Sequence, residues 1–288
     1  MTEIELQTGA AEDEAAIAEA RRADPGRIRA LAARIAVPVT AFAAFVALWQ
    51  WYVTAYQVPR YILPAPTEVA ATMVSDWPIL SSALAVTLTI TFAALAAALV
   101  GGVALAILFV QSRWLELAFY PYAVVLQVTP IVAIAPLIII YAPSTESVLL
   151  ICAFIVAFFP ILSNMTQGLK STDHNLLNLF ELYGASRWQS LLHLRIPASL
   201  PYFATGLRIG GGLALIGSVV AEFAAGSAGA QSGLAFRILE AGRRLNVPRL
   251  FAALILITLT GLAIFALTSL VSHLLLRRWH ESAIRREN

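Results

Sequence analysis

Long apolar stretches without charged residues dominate this chain and limit the folds open to it. From residue 35 to residue 59 no side chain is charged, which is enough for a helix of about 20 residues to cross a bilayer. The stretches lack the polar and apolar alternation of barrel strands, and in hydrocarbon the backbone must satisfy its own hydrogen bonds. Hydrophobic residues make up 59% of the chain and charged residues 12%, with a mean hydropathy of +0.78. The sequence therefore predicts an all-α, polytopic membrane protein.

Six spanning helices are predicted from these stretches. The predicted spans are 35–59, 82–110, 117–141, 147–167, 202–225 and 250–276. In the third, Pro130 and Pro136 each remove a backbone hydrogen bond, so we expect a kinked helix. Gly206 and Gly210 in the fifth form a G-x-x-x-G face suited to close helix packing in lipid. The connection at residues 61–78 carries several prolines, which favour extended or turn backbone over helix.

The distribution of basic residues predicts that both termini are cytoplasmic. Residues 1–30 contain no apolar core of a signal peptide and are expected to be a cytoplasmic tail, with residues 31–288 forming the transmembrane domain. Thirteen basic residues then fall inside and five outside, as the positive-inside rule requires. Four of the outer five are arginines in the last outer segment. We expect that segment to be an amphipathic stretch folded against the protein.

A polar island interrupts the apolar sequence between the fourth and fifth predicted spans. It occupies residues 178–201, within a loop at about 168–201, and reads as two short helices. Ser171, Thr172 or Asp173 can cap the first helix, and Gly184 is suited to end it in a left-handed conformation. Apolar residues recur along this helix at helical spacing, so it presents an apolar face.

The second island helix is predicted from a capping box. Ser186 is followed three residues later by Gln189, and Pro197 is expected to end the helix because it disfavours a helical residue before it. Trp188, Leu191 and Leu192 give this helix an apolar face as well. The pattern alone leaves two interpretations open: a docking surface for a soluble partner, or a helix pair lying on the membrane.

The island resembles a loop shared by permease subunits of ATP-driven, binding-protein-dependent (ABC) importers. The family pattern is E-A-A, three residues, Gly, nine residues, an aliphatic, one residue, an aliphatic and Pro; Gly184, Leu194, Ile196 and Pro197 match it. The chain departs from it at 178–180, where N-L-F stands in place of E-A-A. Other segments resemble the subfamily serving sulfonates, taurine, nitrate, riboflavin or pyrimidine precursors: YILPAPTEV, QVTPIVAIAPL, FFPILSNMTQGL, SLPYFATGLRIG and VVAEFAAG.

The resemblance implies a set of partners and a coupling site. The permease would lie in the bacterial inner membrane, pair with a second permease copy as a homodimer, bind cytoplasmic ATPase subunits and receive solute from an extracytoplasmic binding protein. ATP and magnesium would be bound by the ATPase, with no cofactor or metal in this chain. The residues implied in ATPase coupling are Glu181, Gly184, Ala185, Ser186, Arg187, Trp188, Leu194, Ile196 and Pro197.

Four polar residues in the spans are candidates for the translocation path. Glu222 is the one carboxylate well inside a predicted span, and it fits either a role in the gate or solute path or a structural hydrogen bond to a neighbouring helix. Gln127, Thr129 and Asn164 can line a pore, and hydrogen bonding between helices explains each equally well.

The sequence contains few residues that indicate ATP hydrolysis, other catalysis or nucleic-acid binding. A P-loop needs Gly-Lys-Ser/Thr, and Lys170, the single lysine, follows Leu169, so ATP hydrolysis must come from another chain. No G-x-S-x-G or paired histidine motif indicates a catalytic site, and a net charge of +2 does not indicate nucleic-acid binding. We therefore expect a transport subunit rather than an enzyme. An ion-coupled secondary transporter is the alternative, and the solute is open.

Overall fold

The chain is helical throughout the part that its structure, a computed structural model, describes: residues 25–225 and 232–277. Most of the predicted tail at 1–30 lies outside these ranges. The described α-helices are α1 Pro25–Ala55, α2 Pro66–Ser75, α3 Trp77–Gln111, α4 Arg113–Val128, α5 Ile131–Tyr141, α6 Thr145–Lys170, α7 His174–Leu182, α8 Arg187–Ser190, α9 Ile196–Ala225, α10 Leu234–Arg243 and α11 Val247–Leu276. A π-helical segment, Leu191–Arg195, joins α8 to α9. The all-α prediction is confirmed.

Within the described residues, five helical runs are long and apolar enough to cross a membrane. They are Ala36–Ala55, Trp77–Gln111, Thr145–Lys170, Arg187–Ala225 and Val247–Leu276. The pair α4 and α5 makes a sixth if the two helices are counted as one span. The chain is therefore a multi-pass membrane protein with up to six spans, as predicted.

The N-terminal unit comprises the residues up to 59 together with 63–67 and contains α1. The described side chains of α1 are mostly exposed, with Val53 the fully buried one among them. Gln50 Oε1 accepts a hydrogen bond from the backbone N of Thr67 at 3.3 Å. This unit thus buries few of its apolar side chains against itself, as expected of a helix whose surroundings are lipid or other protein.

The core of the second unit is the packing of α6 against α3 on one side and α9 on the other. Small residues make the α6–α9 approach close. A Cβ at Gly210 would lie 2.8 Å from Ile161 Cδ1, and a Cβ at Gly217 would lie 2.8 Å from the Ala153 Cα. The prediction that Gly206 and Gly210 form a close-packing face is confirmed, because both lie against α6.

The third predicted span is broken rather than kinked. α4 ends at Val128 and α5 begins at Ile131, and the two helices are bent by 105°. Thr129 and Pro130 between them are extended, with ψ of 122° and 123°. Proline disfavours a helical residue before it, so Pro130 ends α4 through Thr129. Pro136 stays inside α5, where the sequence predicted a second kink of equal weight.

The connection at residues 61–78 contains helix, which corrects the prediction of extended or turn backbone. Pro66 is the first residue of α2, and Pro78 lies in the first turn of α3. A proline at the start of a helix loses no hydrogen bond, since the first backbone N–H groups have no partner within the helix, and its fixed φ suits a helix. α3 therefore begins at Trp77, earlier than the predicted residue 82.

α10 is the predicted amphipathic stretch, and it packs against α11, α9 and α3. Leu234 is fully buried in a cluster that includes Val69 of α2, Leu80 of α3 and Ala252 of α11. The charged residues lie toward the other face and the C-terminal end. The prediction of an amphipathic segment folded against the protein is confirmed.

Candidate coupling surface and buried polar network

The first island helix, α7, has the predicted ends. The side chain of Asp173 accepts a hydrogen bond from the backbone N of Asn175 at 2.8 Å, so Asp173 is the cap among the three candidates. After Tyr183 the chain turns at Gly184, whose φ is +70°. A Cβ at Gly184 would meet nothing within 4 Å, so the backbone conformation, and not space, favours glycine here.

The second island helix, α8, begins with the predicted capping box. Ser186 Oγ accepts from the backbone N of Gln189 at 3.3 Å, and Gln189 Oε1 accepts from the backbone N of Ser186 at 2.7 Å. Two backbone donors at the helix start are thereby satisfied. The structure of the turn between α7 and α8 is fixed by these local contacts.

The predicted helix end at Pro197 is wrong. The chain continues from α8 through the π-helical segment Leu191–Arg195 into α9, with Pro197 near the start of α9 and Pro201 inside it. In the π-helical segment the backbone N of Ile196 donates to the carbonyl of Leu191, five residues back. This wider turn relieves the usual clash of a proline ring with the preceding turn. The island is therefore joined without a break to a spanning helix.

The island has an exposed apolar face and a buried anchor. Leu182 and Tyr183 are each 82% exposed and Trp188 is 62% exposed. Leu191, in contrast, is fully buried and packs in a cluster with Phe109 of α3 and Leu169 of α6. An exposed apolar patch of this kind is typical of a surface that contacts another protein or the membrane.

The nine predicted coupling residues divide between this face and its support. Glu181, Gly184, Ser186, Arg187 and Trp188 are exposed. Ala185, Leu194, Ile196 and Pro197 are half-buried, and Ile196 packs against the cluster that contains Leu191. The first group can meet a partner directly, whereas the second connects the island to the spans.

A cleft of about 530 Å³ lies between the island and the end of α3. It is lined by side chains of both signs, including Arg113, Glu181, Arg187 and Arg195. Glu181 and Arg187 thus face a polar recess beside the apolar face. The island can offer a partner both apolar area and charge.

The four predicted path residues do not form one cluster. Gln127 is exposed near the end of α4, and Thr129 lies at the α4–α5 break with its Oγ1 donating to the carbonyl of Val125 at 2.7 Å. Asn164 Nδ2 donates to the carbonyl of Pro160 in its own helix at 2.7 Å. In the part of the chain that the structure describes, no hydrogen bond joins any two of the four side chains.

Glu222 is the centre of a buried polar network. Its side chain is 1% exposed. Thr87 Oγ1 of α3 donates to Glu222 Oε1 at 2.7 Å, and the backbone N of Ala235 donates to Glu222 Oε2 at 2.8 Å. Thr87 Oγ1 also accepts from the backbone N of Leu234 at 2.9 Å. One carboxylate thus links α9 to α3 and to the start of α10.

A second polar contact lies one turn away from Glu222 on the same two helices. Thr91 Oγ1 of α3 and Ser218 Oγ of α9 are 2.9 Å apart. Residues four apart share a helix face, so Thr87 with Thr91 and Ser218 with Glu222 form matching pairs. Thr87, Thr91 and Ser218 were not predicted from the sequence. Two threonines four apart in an apolar span, as at Thr87 and Thr91, are a signal of polar contact between helices.

Three arginines on the Glu222 side of the protein pair with two acidic residues. Glu240 lies 2.9 Å from Arg237 and 3.0 Å from Arg244, and Arg249 pairs with Asp76. The hydrogen bond from Arg237, with the nearby positive charges, lowers the pKa of Glu240 below its ordinary value. Three of the four arginines of the last outer segment therefore have an acidic partner, and two of them share Glu240.

The apolar spanning helices, with a capped helix pair continuous with one of them, define a polytopic membrane protein. The family described as binding-protein-dependent transport system inner membrane component matches residues 98–281. The chain belongs to this family. The matched range includes α7, α8 and Glu222.

This chain matches several transport permease proteins over nearly their whole length. The chain is 34% identical to the riboflavin transport system permease protein RibX of Chloroflexus aurantiacus over 86% of this chain and 91% of that protein. It is 31% identical to the formylaminopyrimidine transport permease protein ThiX of Halalkalibacterium halodurans, over 78% and 90%. It is 29% identical to the putative aliphatic sulfonates transport permease protein SsuC of Bacillus subtilis, over 92% and 94%. The chain is therefore a transmembrane permease subunit, and the ion-coupled alternative is set aside.

Proposed function

We propose that this permease forms the translocation path of an ATP-driven importer and couples to a separate ATPase through α7 and α8. The observation that carries the proposal is the exposed apolar face of the island, which is continuous with a spanning helix. The run Arg187–Ala225 is helical over 39 residues, so a displacement of the island moves α9 as well. ATP and magnesium are bound by the partner, and this chain carries no cofactor.

Trp188 and Arg187 are the proposed direct contacts with the ATPase. A tryptophan with most of its surface exposed loses apolar area from water when a partner covers it, and aromatic and arginine side chains commonly dominate such interfaces. Leu191 anchors the same helix in the core. A displacement of Trp188 is therefore expected to move α3, α6 and α9 as well.

The proposed orientation places both termini and the island in the cytoplasm. The supporting observation is the distribution of basic residues, with thirteen on the proposed inner side and five on the proposed outer side. Lys170, Arg187 and Arg195, in and beside the island, belong to the inner thirteen. This excess is the asymmetry that the positive-inside rule requires.

The proposed cargo is a small organic solute or anion delivered by an extracytoplasmic binding protein. Relatives are named for riboflavin, formylaminopyrimidine, nitrate and aliphatic sulfonates. We assign solute selection chiefly to the binding protein. Gln127 and Thr129 at the α4–α5 break, with Asn164, are the proposed path residues to test; Glu222 is buried with both carboxylate oxygens hydrogen-bonded, so it is not proposed to touch the solute.

A homodimer is the proposed membrane assembly. Only 28% of the most apolar window of α11 and 33% of that of α3 are buried within one chain. The exposed apolar remainder must contact lipid or a second permease copy. A second copy would cover part of this exposed apolar surface.

Reconstitution tests the proposed transport function. Vesicles containing the permease and its ATPase, with ATP inside and solute-loaded binding protein outside, are assayed with riboflavin, formylaminopyrimidine, nitrate and an aliphatic sulfonate. We expect uptake of at least one solute that requires ATP, the ATPase and the binding protein. Uptake driven by a sodium or proton gradient without ATP would contradict the proposal, as would no uptake of any of the four.

A further inference from the structure

The start of α10 is capped by a side chain from another helix. The first backbone N–H groups of a helix have no partner within it, and a side chain at the N-cap position commonly accepts from them. The N-cap residue of α10 is Gly233, which has no side chain to do so. Glu222 of α9 takes that role, because its Oε2 accepts from the backbone N of Ala235.

Gly233 is required by space rather than by its backbone angles. Its φ is −83°, which any residue can adopt. A Cβ at this position would lie 2.1 Å from Glu222 Oε1 and 2.3 Å from Glu222 Cδ. The carboxylate therefore occupies the place that a side chain of the N-cap residue would take, and Gly233 and Glu222 fit each other as a pair.

Thr87 completes the cap by joining the remaining donor to the carboxylate. Its hydroxyl accepts from the backbone N of Leu234 and donates to Glu222 Oε1. Both Thr87 and Glu222 are buried, and a buried carboxylate is costly unless hydrogen bonds and a positive field surround it. The N-terminus of α10 supplies both, since its free N–H groups carry partial positive charge.

We propose that Glu222 is a positioning residue for α10: with Thr87 it fixes α10 across the ends of α3 and α9, and it acts on transport through α10 rather than by touching the solute. This rests on the proposed function, in which α10 belongs to the outer face that receives the loaded binding protein. The C-terminal end of α10 carries Arg243 and Arg244, both exposed. The cap at one end of α10 thus sets where these two arginines stand on the outer face.

Two substitutions at Thr87 separate a hydrogen-bonding role from a packing role. Thr87→Val keeps the shape and removes the hydroxyl, leaving Leu234 N and Glu222 each short of a partner. Thr87→Ser keeps the hydroxyl and loses a methyl group. If the hydrogen bonds position α10, Ser restores the parental behaviour and Val does not.

The position of α10 is measured by labelling with a membrane-impermeant maleimide in a Cys152→Ala background. Ala241 of α10 is 1% exposed, so Ala241→Cys is protected in the parent. We expect Thr87→Val and Glu222→Gln to raise its labelling rate about tenfold, since leaving a buried partner unpaired favours local opening by such a factor. Thr87→Ser leaves the rate unchanged. Arg243→Cys, which is exposed in every variant, is the control for reagent access.

Transport kinetics give the functional readout. In the assembled transporter, Thr87→Val raises the concentration of loaded binding protein that half-saturates ATP hydrolysis by about tenfold, while the maximal rate changes by less than about twofold. Thr87→Ser restores the parental value. A residue that contacts the solute inside the path would change the maximal rate instead.

Three results overturn the inference. One is an Ala241→Cys that stays protected in Thr87→Val, and another is a Thr87→Ser that behaves like Thr87→Val. If Thr87→Val does not yield monodisperse protein, Gly233→Ala, which places a methyl group on the carboxylate, is tested in its place, and continued protection there is the third. The labelling assay needs no partner, so its failure counts against this inference alone, whereas a parent without binding-protein-stimulated ATP hydrolysis counts against the proposed function.

Discussion

Arg249 at the start of α11 lies with its Nε 2.5 Å from Oδ2 of Asp76, the residue between α2 and α3. Both side chains are 18% exposed, so water screens this pair less than a surface pair. The contact joins two connections on the same side of the membrane domain.

Loss of this pair is expected to destabilise the membrane domain. Asp76→Asn leaves Arg249 without its carboxylate and should cost about 1–3 kcal/mol, the range for unpairing a largely buried charged group. Glu116→Gln is the matched control, since its partner Lys170 is 46% exposed and such a pair contributes about 1 kcal/mol or less. Thermal unfolding of the detergent-purified variants measures both. Equal unfolding midpoints for the two variants would contradict the larger contribution assigned to the Asp76–Arg249 pair.

Gly184 is expected to tolerate asparagine but not valine. Its φ of +70° is strained for a β-branched residue by about 1–2 kcal/mol, whereas asparagine adopts such angles readily. Limited trypsin digestion at Arg187, in the next helix, reports the order of the island. We expect Gly184→Val to be cut about tenfold faster than the parent, consistent with that energy, and Gly184→Asn at nearly the parental rate. Similar digestion of all three proteins would show that the turn does not order α8.

Two glycines of α9 are expected to respond in opposite directions to alanine. Gly217→Ala forces a methyl group against the backbone of Ala153 and should cost about 1–3 kcal/mol through overpacking. Gly212→Ala meets nothing within 4 Å and should stabilise the helix by up to about 1 kcal/mol. Thermal unfolding midpoints should therefore move down and up respectively. A shared direction would mean that the α6–α9 packing differs from that described here.

The lowered pKa of Glu240 predicts that its contribution to the free energy of unfolding depends on pH. Because the folded pKa lies below the unfolded one, the ionised side chain stabilises the fold fully above the unfolded pKa, and this contribution is lost as pH falls through the folded value. Glu240→Gln removes this pH-dependent contribution. The gap in unfolding midpoint between parent and variant should be present at neutral pH and shrink as the pH drops below the usual carboxyl range. A difference in midpoint that is the same at neutral and at acidic pH would contradict the charge pairing with Arg237 and Arg244.

Local signals in the sequence were reliable where the structure depends on neighbours in the chain. The capping box of Ser186 and Gln189 and the left-handed Gly184 were both predicted, because a few adjacent residues determine each. The apolar spans and the small-residue face of α9 were also predictable. Periodicity and composition suffice for these features.

The predictions from the sequence were wrong or incomplete where the surrounding structure overrode a local rule or supplied a distant partner. Pro197 does stop an ordinary helix, but the π-helical segment before it widens the turn and the helix continues. Pro130 and Pro136 look alike in sequence, yet only the first ends a helix. The partners of Glu222 could not be predicted because Thr87 lies 135 residues away, and only the folded packing of α3 on α9 brings the two together.

Co-purification with the ATPase subunit tests the central claim most directly. Parent, Arg187→Glu, Trp188→Ala and Arg60→Glu permeases are expressed with the ATPase and isolated in detergent; Arg60→Glu applies the same charge reversal to an exposed residue far from the island. We predict that the two island variants recover about tenfold less ATPase than the parent, a loss typical of an interface anchor, and that Arg60→Glu recovers the parental amount. Equal ATPase recovery in all four proteins would contradict the claim that the island is the coupling surface.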